Sequence, residues 1–200
     1  MGMPRAYRLG KRSADKAATR ARVIQAAVEL YIERGMSRTS MNMIARRADV
    51  AVATVLNHFP TRLELDSAIV ERAQAEMPVP DISVFDGADT VTERVRWLSQ
   101  QSGLFLENAG PWYQMWLREP MTSGPWAQAG ADAGAGWDRL CRVALGPLAD
   151  DHEAMAILRA TMEPGFFGSV RSTVGSTVEA AELIAAAIGP WLELRADARL

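Results

Sequence analysis

Apolar residues recur along this chain at helical spacing, and nowhere with the alternation of a strand. Over residues 16–35, Val23, Ala27, Leu30 and Tyr31 share one helical face, with Ile24 and Val28 beside them, until Gly35 stops the helix. Thr39 or Ser40 can cap a second, short helix carrying Ile44, Ala45 and Ala48. Asp49 and Val50 make a tight turn, and a third short helix is predicted over 52–58, ended by Pro60. Thr61-Arg62-Leu63-Glu64 has the spacing of a capping box and opens a fourth helix over 62–77. Residues 78–87 are the clearest break, with two prolines, two aspartates and a glycine. Two further boxes, Thr90–Glu93 and Ser176–Glu179, open later helices, and others are predicted at about 111–119, 124–146 and 151–162. Residues 164–175 read as irregular or a short helical turn, and Pro190 should kink or restart the last helix. The expected fold is all-α.

Residues 1–14 lack apolar periodicity and are expected to form a flexible basic arm. The expected domains are 15–62 and 63–200, the second opening with a connecting helix (63–77) and a linker (78–88). The net charge of −2 conceals a split, because residues 1–62 carry 12 Lys+Arg against 4 Asp+Glu while the rest carry 10 against 20. A basic end on an acidic body points to a polyanionic partner for the first third alone. No apolar run is long enough to cross a membrane, and the basic N-terminus lacks the apolar stretch of a secretory signal. Cys141 is the only cysteine, so no disulfide forms within the chain, and a reducing, bacterial-type cytoplasm is the expected compartment.

Three short helices, the last two joined by a tight turn, make a helix-turn-helix. Ile44, Ala45, Ala48, Val50, Val55 and Phe59 can clamp the pair and leave the outer face of the third helix for a major groove. Residues 19–65 resemble the TetR family of transcriptional regulators. The resemblance runs through Thr19-Arg20, Ala26-Ala27, Leu30, Glu33-Arg34-Gly35, Thr39-Ser40-Met41, Ile44-Ala45, Ala48, Val50, Thr54-Val55, His58-Phe59-Pro60 and Arg62-Leu63-Glu64-Leu65. It implies a homodimeric regulator, most simply a repressor, that binds double-stranded operator DNA through this domain. It also implies release when a small hydrophobic or aromatic ligand enters a variable C-terminal helical domain, the fourth helix acting as the lever.

The departures are informative. Asp49 stands at the family's turn glycine, and aspartate tolerates a left-handed backbone better than most residues. Ala51, Val52 and Leu56 replace the usual serine, lysine and phosphate-binding tyrosine. Thr54, Asn57 and His58 are the polar groups left on the reading helix, and Asn57 can pair with adenine. Thr39, Ser40, Asn42, Arg46, Arg47 and Arg62 are the candidates for phosphate, and Arg20 is a further candidate for DNA binding.

Phe105, Trp112, Tyr113, Trp116, Trp126 and Trp137, with Met115 and Cys141, are candidates for the walls of an apolar ligand pocket. The same residues could equally be plain core. Among them Arg94, Arg96, Glu107, Arg118 and Glu119 either anchor a polar end of the ligand or face solvent. The last helix is apolar nearly all round, so it needs burial on more than one side. Val178, Ala181, Ala185, Ile188 and Leu192, with Met155 and Leu158 of the preceding helix, are expected at a dimer interface, the alternative being a core helix of one subunit.

Two other readings stay open: a protein of this fold that binds ligand but has weak or lost DNA binding, and a small helical enzyme. The enzyme has little to stand on. The chain has two histidines, His58 and His152, no glycine-rich phosphate loop and no nucleophile elbow. Asp150-Asp151-His152-Glu153 looks like a metal cluster, but sequence neighbours do not face one another on a helix. Neither a metal nor a cofactor is expected.

Overall fold

The computed structural model describes residues 5–110, 112, 113, 115, 119 and 124–199, with side chains from Ser13 onward. They are helical throughout, with no strand among them and no helix long and apolar enough to cross a membrane. The chain divides into two compact units, one from residues 1–75 and 111–129, the other from 76–110 and 130–200.

The first unit is built on α1 (Arg5–Arg34), α2 (Met41–Arg47), α3 (Val52–His58) and α4 (Arg62–Glu76). α1 starts at Arg5, eleven residues before the apolar pattern does. Residues 13–18 are exposed, and the buried face begins at Val23. The extension needs no burial: Ala, Lys and Arg are good helix formers, and each adds to a helix already nucleated by the packed part. Gly35 ends α1 at φ +88°, its amide donating to the Tyr31 carbonyl at 2.9 Å. Ile44, Ala45, Ala48, Val55 and Phe59 are buried, as the amphipathic pattern requires, and α1, α2 and α3 pack on one another. Asp49 takes φ +53°, so the aspartate does adopt the left-handed turn conformation.

One polar cluster ties these helices together. Arg62 donates to the Thr39 carbonyl (2.7 Å), the Met36 carbonyl (3.0 Å) and Asp66 (3.0 Å), and lies 4.6 Å over the ring of fully buried Tyr31. The Tyr31 hydroxyl donates to the same carboxylate at 2.5 Å. Burial first, and then Asp66, pushes the phenol far above its ordinary range, so it stays a donor at every physiological pH.

The second unit centres on α5 (Val91–Asn108) and α9 (Thr177–Asp197), which pack on each other. Around them lie α6 (Gly124–Leu145, from residue 130), α7 (His152–Met162) and α8 (Pro164–Val174). The α5–α9 contact depends on small residues. A Cβ at Gly189 would lie 2.5 Å from Thr92, and one at Gly103 would collide with the Phe167 ring. Thr90 and Glu93 form a complete capping box on α5. Ser176 accepts from the Glu179 amide at 3.1 Å, and Thr61 from the Glu64 amide at 3.2 Å. Residues 82–85 of the expected linker form a short 3-10 helix that buries Phe85 in the core with Val95, Leu98 and Leu145.

Three expectations change here. Residues 164–174 are a full helix, begun by Pro164 at a position that tolerates proline, anchored by Phe167 and ended by Gly175 at φ +105°. α9 runs on through Pro190 instead of restarting, with that proline on the exposed side. Leu158, Ala181, Ala185 and Leu192 are buried within a single chain, and Met155 and Ile188 pack against that core. The small residues of α9 serve its close approach to α5, so these positions are core, whereas Val178 remains 53% exposed. The predicted helix at 111–119 falls on a stretch that is only partly described.

Asp151 holds the start of α7 to the end of α9. Its carboxylate accepts from the Glu153 and Ala154 amides and from Arg195 (2.5 Å) and Arg199 (2.6 Å). The Arg195 hydrogen bond, with the Ala154 amide, lowers its pKa to about 2. That carboxylate is taken up by structure, which removes the central member of the acidic cluster as a free ligand.

Arg62→Ala strands two carbonyls and Asp66. It should destabilise the first unit by about 2–4 kcal/mol in denaturant unfolding, and Arg62→Lys should recover only part, because an ammonium cannot span these acceptors. Asp151 has a depressed folded pKa, so its contribution is present above about pH 4 and is lost as pH falls towards 2. The melting-temperature gap between wild type and Asp151→Asn should therefore be constant from pH 7 to about 5 and close between about pH 4 and 2.

Candidate nucleic-acid interface and cavity

The outward face of α3 carries Ala53, Leu56 and Asn57, all exposed, with Val52, Thr54 and His58 half-buried at its edges. Its inward face is Val55, which with Phe59 just beyond the helix is fully covered. Arg20 of α1 lies over the Phe59 ring at 5.0 Å, which sets a guanidinium beside the C-terminal end of α3. Burial lowers the pKa of His58, and Lys16 and Arg20 lower it further, so the imidazole is neutral at pH 7. On α2, Asn42 and Arg46 are exposed. Ser40 caps that helix, its hydroxyl accepting from the Met43 amide at 3.3 Å.

Three of the predicted phosphate candidates have other partners. Thr39 is buried, and its hydroxyl donates to the Gly35 carbonyl at 2.8 Å. Arg47 forms ion pairs with Glu33 (2.8 Å) and Glu29 (3.1 Å), which offset its charge. Arg62 is the clamp described above. A sequence motif does not separate the two arginines from Arg46, because Glu33 lies 14 residues from Arg47 and Met36 lies 26 from Arg62.

The aromatic candidates fall into two groups. In the first unit, Trp112, Met115 and Trp126 are buried, with the Trp112 and Trp126 rings 5.9 Å apart, and Tyr113 is half-buried. Trp116 and Arg118 lie outside the described residues. In the second unit, Phe105, Trp137 and Cys141 line a cavity of about 490 Å³. Phe105 meets Trp137 edge to face at 5.3 Å, and the Cys141 thiol donates to the Met162 sulfur at 3.6 Å. Burial pushes the Cys141 thiol up to about 11, so it is an apolar wall and not a nucleophile.

Sequence reasoning missed the polar side of this cavity, formed by Asp138, Arg159 and Glu163. Asp138 accepts from Arg142 (3.1 Å) and from Arg159, and both bonds lower its pKa, Arg142 most. A signal for it is present in the chain: residues 134, 137, 138 and 141 fall on one helical face. The charges singled out instead hold the fold. Arg94 donates to the Ala144 carbonyl (3.0 Å), Arg96 pairs with Glu182, and Glu107 pairs with Arg171. In the first unit Glu119 accepts from the amides of Met36 (2.9 Å) and Ser37 (3.1 Å).

Residues 23–73 match the family model for bacterial regulatory proteins of the tetR family. Over 77 residues the chain is 32% identical to the HTH-type transcriptional regulator SrpR of Pseudomonas putida, covering 37% of this chain and 36% of that one. It is 31% identical over 77 residues to the HTH-type transcriptional regulator TtgW, also of Pseudomonas putida, covering 37% of this chain and 58% of that one. The match thus spans less than two thirds of either relative's length. In fold the chain is similar to HlyIIR, a hemolysin II transcriptional regulator (TM-score 0.63, 14% identity, 87% of this chain and 98% of that one). It is also similar to a TetR-like transcriptional regulator from Rhodococcus sp. RHA1 (TM-score 0.59, 20% identity, 91% and 97%). Residues 23–73 thus carry the helix-turn-helix of bacterial regulatory proteins of the tetR family, and the all-helical fold of the chain is similar to that of TetR-like regulators.

Proposed function

We propose that this protein is a transcriptional repressor. It binds operator DNA as a homodimer through α3 and is released when a small apolar or aromatic molecule occupies the cavity of the second unit. The observation that carries the reading is the α2–turn–α3 unit, with its outer face open and cationic groups at its margins, inside the segment that matches the family. Arg20, Asn42 and Arg46 contact phosphates, and Asn57, with Thr54 beside it, contacts bases. Two such readers about 34–36 Å apart meet successive major grooves. Exposed apolar residues on α7 and α9, Ile157 on the first and Leu183 and Leu194 on one face of the second, suit the pairing of two subunits. The ligand cavity lies within the roughly 300–1,000 Å³ typical of small-molecule sites. Apolar walls with one ion-paired edge favour a ligand that is mostly ring or hydrocarbon with a single polar end. α6 contributes Trp126 to one unit and Trp137 to the other, so it is the continuous element through which occupancy reaches the reader. A second reading, ligand binding without DNA binding, is favoured by one observation: Ala51, Val52 and Leu56 take the places of polar contacts.

Affinity for random duplex DNA across a salt series separates the two. A repressor binds steeply less well as salt rises. Arg46→Ala should flatten that slope by about one, and Arg47→Ala should change it less, because Glu29 and Glu33 already offset that charge. Equal slopes for Arg46→Ala and wild type would remove Arg46 from the interface. Ligand control is tested by screening small aromatic compounds for a rise in melting temperature. A compound at a hundred times its Kd adds about 2.7 kcal/mol. Gly134→Leu places a side chain where nothing lies within 4 Å of the Cβ position, so it should abolish that rise and leave DNA affinity intact. In wild type, compound and operator should weaken each other by the same factor, about 5- to 150-fold.

A further inference from the structure

We propose that this reader recognises its operator through thymine methyl groups, with Leu56 as the specificity-determining residue. The inference rests on the DNA-binding reading above and deepens it. α3 presents Ala53, Leu56 and Asn57 to the outside, three residues on one helical face and two of them apolar. Leu56 is 42% exposed on this face, while Val55 and Phe59 already fill the core side. Packing within the chain therefore does not require a leucine at this position. Flanking groups define what approaches the face: Arg20 stands at its C-terminal end, and Arg46 is exposed on the neighbouring helix. A polyanion drawn to those cations brings a groove against Leu56.

The chemistry of that groove selects one partner. In the major groove the base edges offer hydrogen-bond donors and acceptors and a single kind of apolar group, the C5-methyl of thymine. A leucine pressed on any other edge covers polar atoms and gives them no hydrogen bond, which is unfavourable. Pressed on a thymine it buries methyl against methyl. The contact thus both rewards thymine and disfavours the alternatives, as specificity requires. Asn57, the adjacent residue, supplies the complementary polar contact to an adenine. The half-site is thus predicted to hold a thymine beside an adenine at its centre of contact.

The experiment uses the full-length protein. Duplexes are first enriched from a random pool of about three helical turns, long enough for two half-sites one turn apart. Each thymine of the enriched duplex is then replaced in turn by uracil, which removes the methyl group and nothing else. One position per half-site should lose about fourfold in affinity, the value of one buried methyl, and both half-sites together about fifteenfold. Leu56→Ala should bind the thymine and uracil duplexes equally, with an affinity near that of wild type on uracil. Because Leu56 is exposed, this variant should melt with wild type, and Arg46→Ala should weaken both duplexes alike. Uracil without effect at every position overturns the proposal, as does an undiminished thymine preference in Leu56→Ala. If no duplex is enriched and the pool itself shows no salt-dependent binding, the DNA-binding reading fails together with the proposal.

Discussion

The helix-turn-helix unit depends on how the short turn between α1 and α2 is held. Its carbonyls at Met36 and Thr39 accept from Arg62, and its amides at Met36 and Ser37 donate to Glu119. A cation thus takes the acceptors of this turn and an anion takes its donors. Gly35 makes the arrangement possible, because a Cβ there would collide with the Glu119 carboxylate. Such hydrogen bonds to charged groups are stronger than neutral ones and directional. They fix where α2 begins on α1, and the left-handed Asp49 then fixes where α3 leaves α2. The outer face of α3 follows from those two turns.

Charge in this unit has two functions that composition cannot separate. Its basic excess suits it to a polyanion, yet Arg47 and Arg62 are engaged inside the unit, in pairs with Glu29, Glu33 and Asp66. Arg20 and Arg46 are exposed on different helices, and Arg22, Arg34 and Arg38 are exposed in the same unit. Arg20 sets one of these cations beside the apolar outer face of α3. Phosphate contacts of that kind set position, and sequence preference has to come from groups that touch the bases.

In the second unit the requirement for close packing explains why some apolar positions depart from expectation and others do not. α9 is rich in alanine because Gly189 and its neighbours lie against α5, with Thr92 in contact. Small residues in a helix admit another backbone, and nothing in their spacing says whether that backbone belongs to the same chain. The cavity reflects the same ambiguity. Phe105 and Trp137 stand at its wall, while Trp112 and Trp126 cover each other elsewhere, though all four are alike in sequence as large rigid apolar groups.

The sequence by itself determined the helices, their caps and their stops. Thr90 with Glu93, Ser176 with Glu179, Gly35 and the turn at Asp49 act through backbone groups a few residues away, and so their effects are legible in local order. It also carried the likeness of residues 23–73 to the tetR family, since that motif is a run of neighbours. Where α1 begins was hidden, because an exposed helical extension carries no apolar periodicity. Tertiary structure alone decided which arginines face outward, which aromatic residues surround empty space and which face of α9 is covered. Those outcomes depend on partners far away in the chain, Glu33 for Arg47, Met36 for Arg62 and Thr92 for Gly189. An interaction energy depends on distance in space, and helical periodicity gives direction around one axis but not what lies opposite it.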